Sequence, residues 1–267
     1  MLTIFTPTFN RDAHLIKCYN SLLTQSYRDF EWLIVDDGST DSTKKVVEAF
    51  QEENKITIRY IYQENAGKQS AWNRAVLNAN GKYFIGVDSD DALIEDSLVL
   101  FFEKYIPMIE NNDEVIGIRA LSKRESSQTA DSTYSIDNEY SINSWFDEFG
   151  SRIIGERIDI FKTNILKDYL YPVNDKIKFV PEIWFYSTIS TKYKFLYVNK
   201  FLGFFFDDHA DNRLSRSALE KHAKGHLISR SAMLKKIPLR CFLSNPVAFV
   251  KTIIRWVQAS YFVIKNK

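Results

Sequence analysis

In the first 121 residues, apolar runs typical of strands alternate with segments whose apolar residues have helical spacing. Five short apolar runs have the length and composition of buried strands; they occupy residues 2–6, 30–35, 56–62, 83–87 and 114–121. Four segments between them carry apolar residues at helical spacing; they occupy residues 11–26, 40–53, 68–80 and 95–109. Strands that alternate with helices predict an α/β fold, with a mostly parallel, Rossmann-like central sheet flanked by helices.

The pattern is less regular after residue 121. Residues 122–141 are rich in Ser, Thr and Asp and predict a surface loop or a weak hairpin. Residues 145–182 show no clear period. Beyond them, residues 182–190 predict a helix and the aromatic run 195–206 predicts a strand.

Charge divides the chain of 267 residues unevenly. Residues 221–267 carry ten Lys or Arg and no Asp or Glu, whereas residues 1–220 carry 25 basic and 34 acidic side chains. A basic segment beside an acidic body indicates an anionic partner, either nucleic acid or a membrane surface. We therefore expect one domain at 1–220, with halves at 1–121 and 122–220, followed by a basic amphipathic helical tail at 221–267.

The tail contains a predicted helix at residues 245–264. Lys251, Arg255 and Gln258 fall on one stripe of it, and the rest is largely apolar. Two charges within about 20 residues argue against a simple membrane span and favour a helix lying in the membrane interface. The alternative is a helix docked on the protein's own sheet. We expect contact with an anionic membrane surface and no nucleic-acid partner, because the tail matches no nucleic-acid motif.

Composition excludes several classes of protein. Hydrophobic residues make up 45% and charged residues 26%, so a disordered chain or a small disulfide scaffold is excluded. Cys18 and Cys241 are too far apart to match a metal-binding spacing, and the N-terminus has no basic signal region, so we expect a cytoplasmic protein. A Gly-x-Gly-x-x-Gly motif is absent, and residues 62–69 lack the leading glycine and the final Ser or Thr of a P-loop.

Three polar clusters follow predicted strands, at residues 6–11, 36–39 and 88–91. Ligands of parallel α/β sheets bind beyond the carboxyl ends of the strands, so we expect the three clusters to meet in one crevice. Acidic clusters repel each other unless a cation neutralises them. Asp88 and Asp90 supply the hard oxygen ligands that Mg²⁺ or Mn²⁺ prefers, and such an ion could hold a diphosphate.

These clusters, in this order, resemble the family 2 glycosyltransferases of the GT-A fold, of the type that builds bacterial polysaccharides. The matching motifs lie at residues 6–11, 35–41, 64–68, 81–83 and 88–91. The resemblance is close over about the first 120 residues and loose to about residue 216. It implies inverting transfer of a sugar from a nucleotide-diphosphate donor, most often a UDP-sugar, to a saccharide or lipid-linked acceptor in surface polysaccharide assembly.

The resemblance also implies a division of labour between the halves and a place in the cell. The first half would bind the nucleotide with the help of Mn²⁺ or Mg²⁺, and the second half would bind the acceptor. The enzyme would sit at the inner face of the cell membrane as a peripheral protein. By position, the residues that line the nucleotide would be Thr6, Pro7, Thr8 and Asn10, and Asp37 would hydrogen-bond the base.

Further roles follow the same positions. Lys68 would approach the nucleotide or the diphosphate. Asp88, Ser89 and Asp90 form the Asp-x-Asp motif, whose two aspartates would contact the ribose and the metal. His209 would be a further metal ligand in a loop over the diphosphate.

An inverting reaction needs a general base that takes the proton of the acceptor hydroxyl. In this family the base is an acidic residue that opens a helix in the second half. Glu182 fits that place, and Glu156 is the rival. In the loop after the last predicted strand, Arg213 or Arg216 would clamp phosphate.

Two other functions remain as alternatives. A nucleotidyltransferase on a related sheet is disfavoured because no glycine-rich loop follows the first strand. A non-catalytic nucleotide-sugar binding module is disfavoured because Asp88, Asp90 and Glu182 are all present.

Overall fold

The computed structural model describes residues 1–132, 134–152, 155–206 and 219–266. Nine strands in these residues belong to one sheet. They are β1 Leu2–Thr8, β2 Phe30–Asp36, β3 Thr57–Tyr62, β4 Tyr83–Gly86, β5 Ala92–Leu93, β6 Val115–Arg124, β7 Tyr140–Asn143, β8 Arg157–Lys162 and β9 Lys194–Phe205. The strand order is β3-β2-β1-β4-β8-β6-β9-β5, and β7 pairs with β9.

Helices cover both faces of this sheet, as predicted. They are α1 Asp12–Leu23, α2 Thr43–Glu53, α3 Lys68–Asn78, α4 Ser97–Leu100, α5 Ile106–Glu110, α6 Trp145–Gly150, α7 Thr163–Leu166, α8 Ile183–Ile189, α9 Ala223–Lys236, α10 Leu239–Ser244 and α11 Pro246–Lys265. Buried side chains form one core cluster that includes α1 and a second that includes α3, α8 and α9. The α/β fold class is therefore confirmed.

The strands of the first half are parallel, as the alternating pattern predicts. β2 and β4 flank β1, and β3 lies outside β2. Thr8, the last residue of β1, pairs with Asp36, the last residue of β2. The carboxyl ends of these strands therefore meet at one edge of the sheet, where ligands of such folds bind.

The second half adds antiparallel pairs that the pattern does not predict. β8 lies antiparallel between β4 and β6, within the stretch that shows no clear period. Arg157 and Asp159 of β8 are both buried. These two charged residues interrupt the apolar run, so the local pattern does not indicate a buried strand.

The predicted helix at 95–109 is divided by a π-helical turn, Phe101–Tyr105, between α4 and α5. Pro107 explains the division because it has no N–H to donate to the carbonyl four residues earlier. The N–H of Ile106 donates instead to the carbonyl of Phe101, five residues back. This hydrogen bond spans five residues instead of four, so the turn contains one extra residue.

The polar stretch at 122–141 contains part of a hairpin and a short strand. β6 extends to Arg124, and an antiparallel bridge joins Lys123 to Ala130. β7 then pairs antiparallel with β9. The weak hairpin that the sequence predicts is thus present near the turn, and an extra edge strand follows it.

The first part of the basic tail is packed into the domain. α9, α10 and the turn between them contribute Met233, Ile237, Cys241 and Phe242 to the second core cluster. A side chain at Gly225 would meet the carbonyl oxygen of Phe179 at 1.8 Å, so α9 lies directly on that backbone. The predicted division at residue 220 therefore does not coincide with a break in packing.

α11 lies on α9 and leaves most of its apolar residues exposed. Thr252 and Ala259 are buried on the side towards α9. The sequence left a helix docked on the sheet as an alternative. α11 is docked along one side, but on α9 rather than on the sheet. An exposed row, here called the apolar stripe, contains Val247, Val250, Ile254, Val257, Tyr261 and Ile264. By length and composition alone, α11 could also cross a membrane.

Candidate active site

The carboxylate of Asp37 fixes the loop that leads into α3. Its Oδ1 accepts hydrogen bonds from the Gln63 amide at 2.7 Å and from the Ala66 backbone N–H at 2.8 Å. Its Oδ2 accepts from the backbone N–H of Gly67 at 2.8 Å and from Asn65 at 3.2 Å. Two donors on each oxygen fill the lone pairs of the carboxylate. The hydrogen bond to a base that the resemblance assigns to Asp37 would require one of these donors to leave.

The end of β1 contributes less to the cleft than predicted. Thr6 is fully buried, and its hydroxyl accepts a hydrogen bond from the Trp32 indole at 2.9 Å. Thr8 is also buried. Both side chains are thus enclosed by protein, and the role of Thr6 and Thr8 in lining the nucleotide stays a prediction. Pro7 is half-buried and Asn10 is exposed, and Asn10 hydrogen-bonds the loop after β2.

Lys68 joins the two halves of the domain. Its Nζ lies 2.7 Å from Asp88 Oδ2 and 3.5 Å from Glu182 Oε1. Burial opposes the charge of Lys68, but these two carboxylates hold its pKa well above the ordinary value. The preceding Gly67 has a φ of +97°, and a side chain there would meet the carbonyl oxygen of Lys178 at 2.1 Å. The close approach of these backbones brings the second half over Lys68.

Three aspartates crowd together after β4. Asp88, Asp90 and Asp91 each place one carboxylate oxygen within 4.8 Å of the others. Asp90 also forms an ion pair with Arg11. Burial favours protonation of Asp90, but the Arg11 guanidinium lowers its pKa below the ordinary value. Burial and the charges of the other two aspartates raise the pKa of Asp91 well above its ordinary value.

The aspartate cluster fits a divalent cation. Mg²⁺ binds oxygen ligands at about 2.0–2.1 Å in octahedral geometry, which brings opposite ligands to about 4 Å from each other. Of three ligands only one pair can lie opposite, and the other pairs lie about 3 Å apart. The aspartate oxygens, which lie within 4.8 Å of one another, would therefore move closer together around the ion. Carboxylate oxygens are also the ligands that suit Mn²⁺. Asp88, Asp90 and Asp91 could therefore hold Mg²⁺ or Mn²⁺ and leave positions for phosphate or water.

Both candidate bases line the same cavity of about 190 Å³. Glu182 lies at the start of α8 with 55% of its side chain exposed, and Glu156 lies just before β8. Burial in the cleft and the charge of Glu182 raise the pKa of Glu156 to about 7. Aromatic side chains form much of the remaining wall, namely Phe5, Trp72, Phe161, Tyr171, Phe185, Tyr186, Phe204 and Phe205.

A buried ionic network lies behind this wall. Arg119 donates to Glu148 at 2.8 Å and to Asp159 at 2.6 Å. The hydroxyl of Tyr197 donates to Glu148 at 2.9 Å, and that of Tyr186 donates to Asp159 at 2.7 Å. Tyr186 belongs to α8, so the network holds α8 in position. Glu182 lies just before the first residue of this helix.

The structure brings four of the predicted site residues to one cleft, namely Lys68, Asp88, Asp90 and Glu182. Ser89, between the two aspartates in sequence, is buried. His209, Arg213 and Arg216 lie outside the described residues.

Sequence reasoning assigned no role to Arg11, Asp91, Arg157 or Asp159. Arg11 pairs with Asp90, and the other three line the cavity. Arg11 and Asp91 each stand next to a predicted site residue, and that position could have identified them from the sequence. Arg157 and Asp159 belong to no motif, so only their position on β8 shows that they face the cavity.

Residues 3–170 match the family model described as Glycosyl transferase family 2. The chain is 37% identical over 105 residues to Glycosyltransferase GlyA of Streptococcus pneumoniae, which is 39% of this chain and 15% of that protein. It is 35% identical over 105 residues to chondroitin synthase of Escherichia coli, again 39% of this chain and 15% of that protein. The putative teichuronic acid biosynthesis glycosyltransferase TuaG of Bacillus subtilis is 33% identical over 99 residues, 37% of this chain and 39% of that protein. The chain thus spans well under half the length of these relatives.

Solved structures share the architecture at low sequence identity. Residues 1–349 of Staphylococcus aureus TarS, in complex with UDP-GlcNAc, superpose with a TM-score of 0.70 at 17% identity, over 97% of this chain and 79% of that one. The mannosyltransferase PcManGT of Pyrobaculum calidifontis, in complex with GDP-Man and Mn²⁺, gives a TM-score of 0.64 at 15% identity, over 99% of this chain and 74% of that one. At such identities the likeness shows the fold.

Proposed function

The chain belongs to glycosyltransferase family 2 and has the GT-A fold, and we propose that it transfers a sugar from a UDP-sugar to a hydroxyl of a saccharide or lipid-linked acceptor, with inversion at the anomeric carbon. The observation that carries the proposal is one cleft in which Lys68 bridges Asp88 of the aspartate cluster and Glu182. The UDP-GlcNAc bound by TarS supports a uridine donor. The names of chondroitin synthase and TuaG support a role in polysaccharide assembly.

The donor diphosphate would lie between the aspartate cluster and Lys68. Asp88, Asp90 and Asp91 would hold Mn²⁺ or Mg²⁺, which supplies positive charge for the leaving diphosphate. The Lys68 ammonium carries three N–H donors and is shared by two carboxylates, so it can exchange one of them for a phosphate oxygen. Lys68 would then help to neutralise the negative charge that develops on the diphosphate.

Glu182 would act as the general base. It would take the proton of the acceptor hydroxyl while the hydroxyl oxygen bonds to the anomeric carbon and the diphosphate leaves. Glu156 is the rival, since its raised pKa of about 7 also suits a general base. We favour Glu182 because it contacts Lys68, which would lie at the diphosphate. Glu156 would instead hydrogen-bond a sugar hydroxyl across the cavity.

Calorimetric titration with UDP, GDP, CDP and dTDP, each with and without Mn²⁺, tests the donor class. We expect UDP to bind and to require the metal. Asp90→Asn should weaken UDP binding in Mn²⁺ by about 10-fold or more, since it removes a charged ligand of the ion. Glu95→Gln, an exposed acidic residue nearby, is the matched control and should leave the affinity unchanged.

Two results would count against this proposal. Asp90→Asn could bind UDP in Mn²⁺ as tightly as the wild type, which would show that the cluster does not serve the donor. Alternatively, UDP could bind with no turnover of any UDP-sugar, which would favour a non-catalytic binding module. Because Asp90 also pairs with Arg11, the melting temperature of the variant must be measured alongside.

We propose further that the protein works at the cytoplasmic face of the cell membrane, with α11 in the interface. The apolar stripe faces away from α9, and Lys251 and Arg255 lie beside it. No acidic residue occurs after Glu220 to oppose an anionic surface. An apolar face bordered by basic residues is the arrangement that binds anionic bilayers.

Substitutions on the apolar stripe test this location better than truncation. Removal of residues from Pro238 onward would also remove Cys241 and Phe242 from the core. The double variant Ile254→Ser/Val257→Ser should bind phosphatidylglycerol vesicles about 10-fold or more weakly in flotation, because two apolar side chains no longer insert. Leu77→Ser on α3, also exposed, is the control. Unchanged binding of the double variant would remove α11 from the interface.

A further inference from the structure

A row of basic and imidazole side chains runs along α9, and its first members contact the segment that leads to Glu182. His222, just before α9, and His226 and Arg230 within it are spaced four residues apart, so they share one helix face. The rings of His222 and His226 lie 5.1 and 5.9 Å from the ring of Phe179. Phe179 is three residues before Glu182. The first turn of α9 therefore lies beside the cleft.

Arg255 of α11 completes the group. The two helices touch beside it, since Trp256 Nε1 donates to Ser231 Oγ at 2.9 Å. Burial and the nearby Arg255 charge lower the pKa of both His226 and Arg230. At about 100° per residue, Arg255 lies on α11 between the side that contacts α9 and the row that contains Lys251. The group thus lies beside the basic edge of the apolar stripe. We call Arg230 and Arg255, with the imidazole of His226 beside them, the cation cluster.

The cation cluster has no anion of its own among the residues that the structure describes. Arg230 is only half exposed, its Nε is buried without a hydrogen-bond partner, and its Nη1 contacts only the sulfur of Met233, at 3.1 Å. Nδ1 of His226 is buried and unpaired as well. Arg255 reaches only the side-chain oxygen of Gln258, at 3.4 Å. Arg230 is a partly buried cation without an ionic partner, which is unfavourable, so the cluster favours an external anion.

We propose that the cation cluster binds the phosphate or diphosphate of a lipid-linked acceptor. Guanidinium groups match the oxygens of a phosphate in pairs, and an imidazole adds one N–H donor. The lipid part of such a molecule would enter the bilayer beside the apolar stripe, while its saccharide would reach the cleft past Phe179. This inference rests on the proposed function for the identity of the acceptor, but the anion site itself does not.

The test is flotation with phosphatidylcholine vesicles that carry a polyprenyl diphosphate. Arg230→Gln and Arg255→Gln should each bind these vesicles about 10-fold more weakly than the wild type. Lys224→Gln and Lys235→Gln remove the same charge from exposed positions on α9 and should each change binding by less than about twofold. UDP affinity in Mn²⁺ and the melting temperature, measured on every variant, should stay at the wild-type values.

Three outcomes would overturn the inference. Equal losses in the cluster variants and their lysine controls would indicate a general basic surface. Equal binding to phosphatidylglycerol vesicles of matched charge would assign the cluster to bulk lipid, and tight binding of soluble pyrophosphate would assign it to a free anion. If UDP fails to bind any protein while vesicle binding still depends on Arg230, the donor proposal fails and the anion site stands.

Discussion

Replacing Glu182 by Gln is expected to lower the rate of sugar transfer by about 100- to 10,000-fold, the usual contribution of a general base. Glutamine has nearly the same shape but cannot take the proton of the acceptor hydroxyl. UDP affinity in Mn²⁺ should be nearly unchanged, because Glu182 contacts the donor side only through Lys68. The measurement is single-turnover release of UDP from the donor sugar in the presence of acceptor.

Glu156→Gln is the matched control because both glutamates line the same cavity. It should slow transfer by less than about 10-fold, since it removes one hydrogen bond and not the base. A larger loss in Glu156→Gln than in Glu182→Gln would move the base to Glu156. Full transfer by both variants would place the base outside this cavity.

Replacing Arg119 by Met is expected to lower the free energy of unfolding by about 3–5 kcal/mol, the cost of breaking a buried ion pair from one side. Glu148 and Asp159 would stay in the interior without their main cation. Urea unfolding followed by circular dichroism measures the change. Arg74→Met, on the exposed face of α3, is the control and should stay within about 0.5 kcal/mol of the wild type.

The loss in Arg119→Met should depend on pH in a defined direction. Burial already raises the pKa of Asp159 in the folded protein, although Arg119 opposes that rise. Without Arg119 the folded state binds a proton more tightly than the unfolded state, so stability falls as pH rises. The deficit should therefore be smaller near pH 5 than near pH 8. An equal loss of stability at pH 5 and pH 8 would show that lost packing, and not charge, destabilises the Arg119→Met variant.

Local patterns predicted the first half of the fold closely. The runs at 30–35 and 68–80 became β2 and α3 with ends shifted by at most two residues, because each pattern is set by the face that its own element buries. β8 was not predicted. Its buried charges are paired with residues far along the chain, such as Arg119 with Asp159, and a local pattern does not contain that information.

The site was predictable where a residue type itself determines the chemistry. The acidic cluster after β4 was expected to need a cation, and the Lys68 ammonium lies 2.7 Å from Asp88. Thr6 differs, because the direction of its side chain depends on a buried partner on the neighbouring strand, Trp32. The packing of α9 was missed for another reason, since the net charge of a long segment conceals the few apolar residues that enter the core.

The interleaved strand order has a consequence for synthesis on the ribosome. β4 and β6 emerge before β8, yet each pairs with β8 rather than with the other. Until β8 has been made, the nascent chain carries β6 without any partner and β4 with one open edge, and β6 keeps an open edge until β9 follows. Such edges invite pairing with other chains. Residues 1–121, the nucleotide-binding half, are therefore not expected to fold independently before the rest of the chain is made. A fragment that ends near residue 121 should aggregate rather than bind UDP.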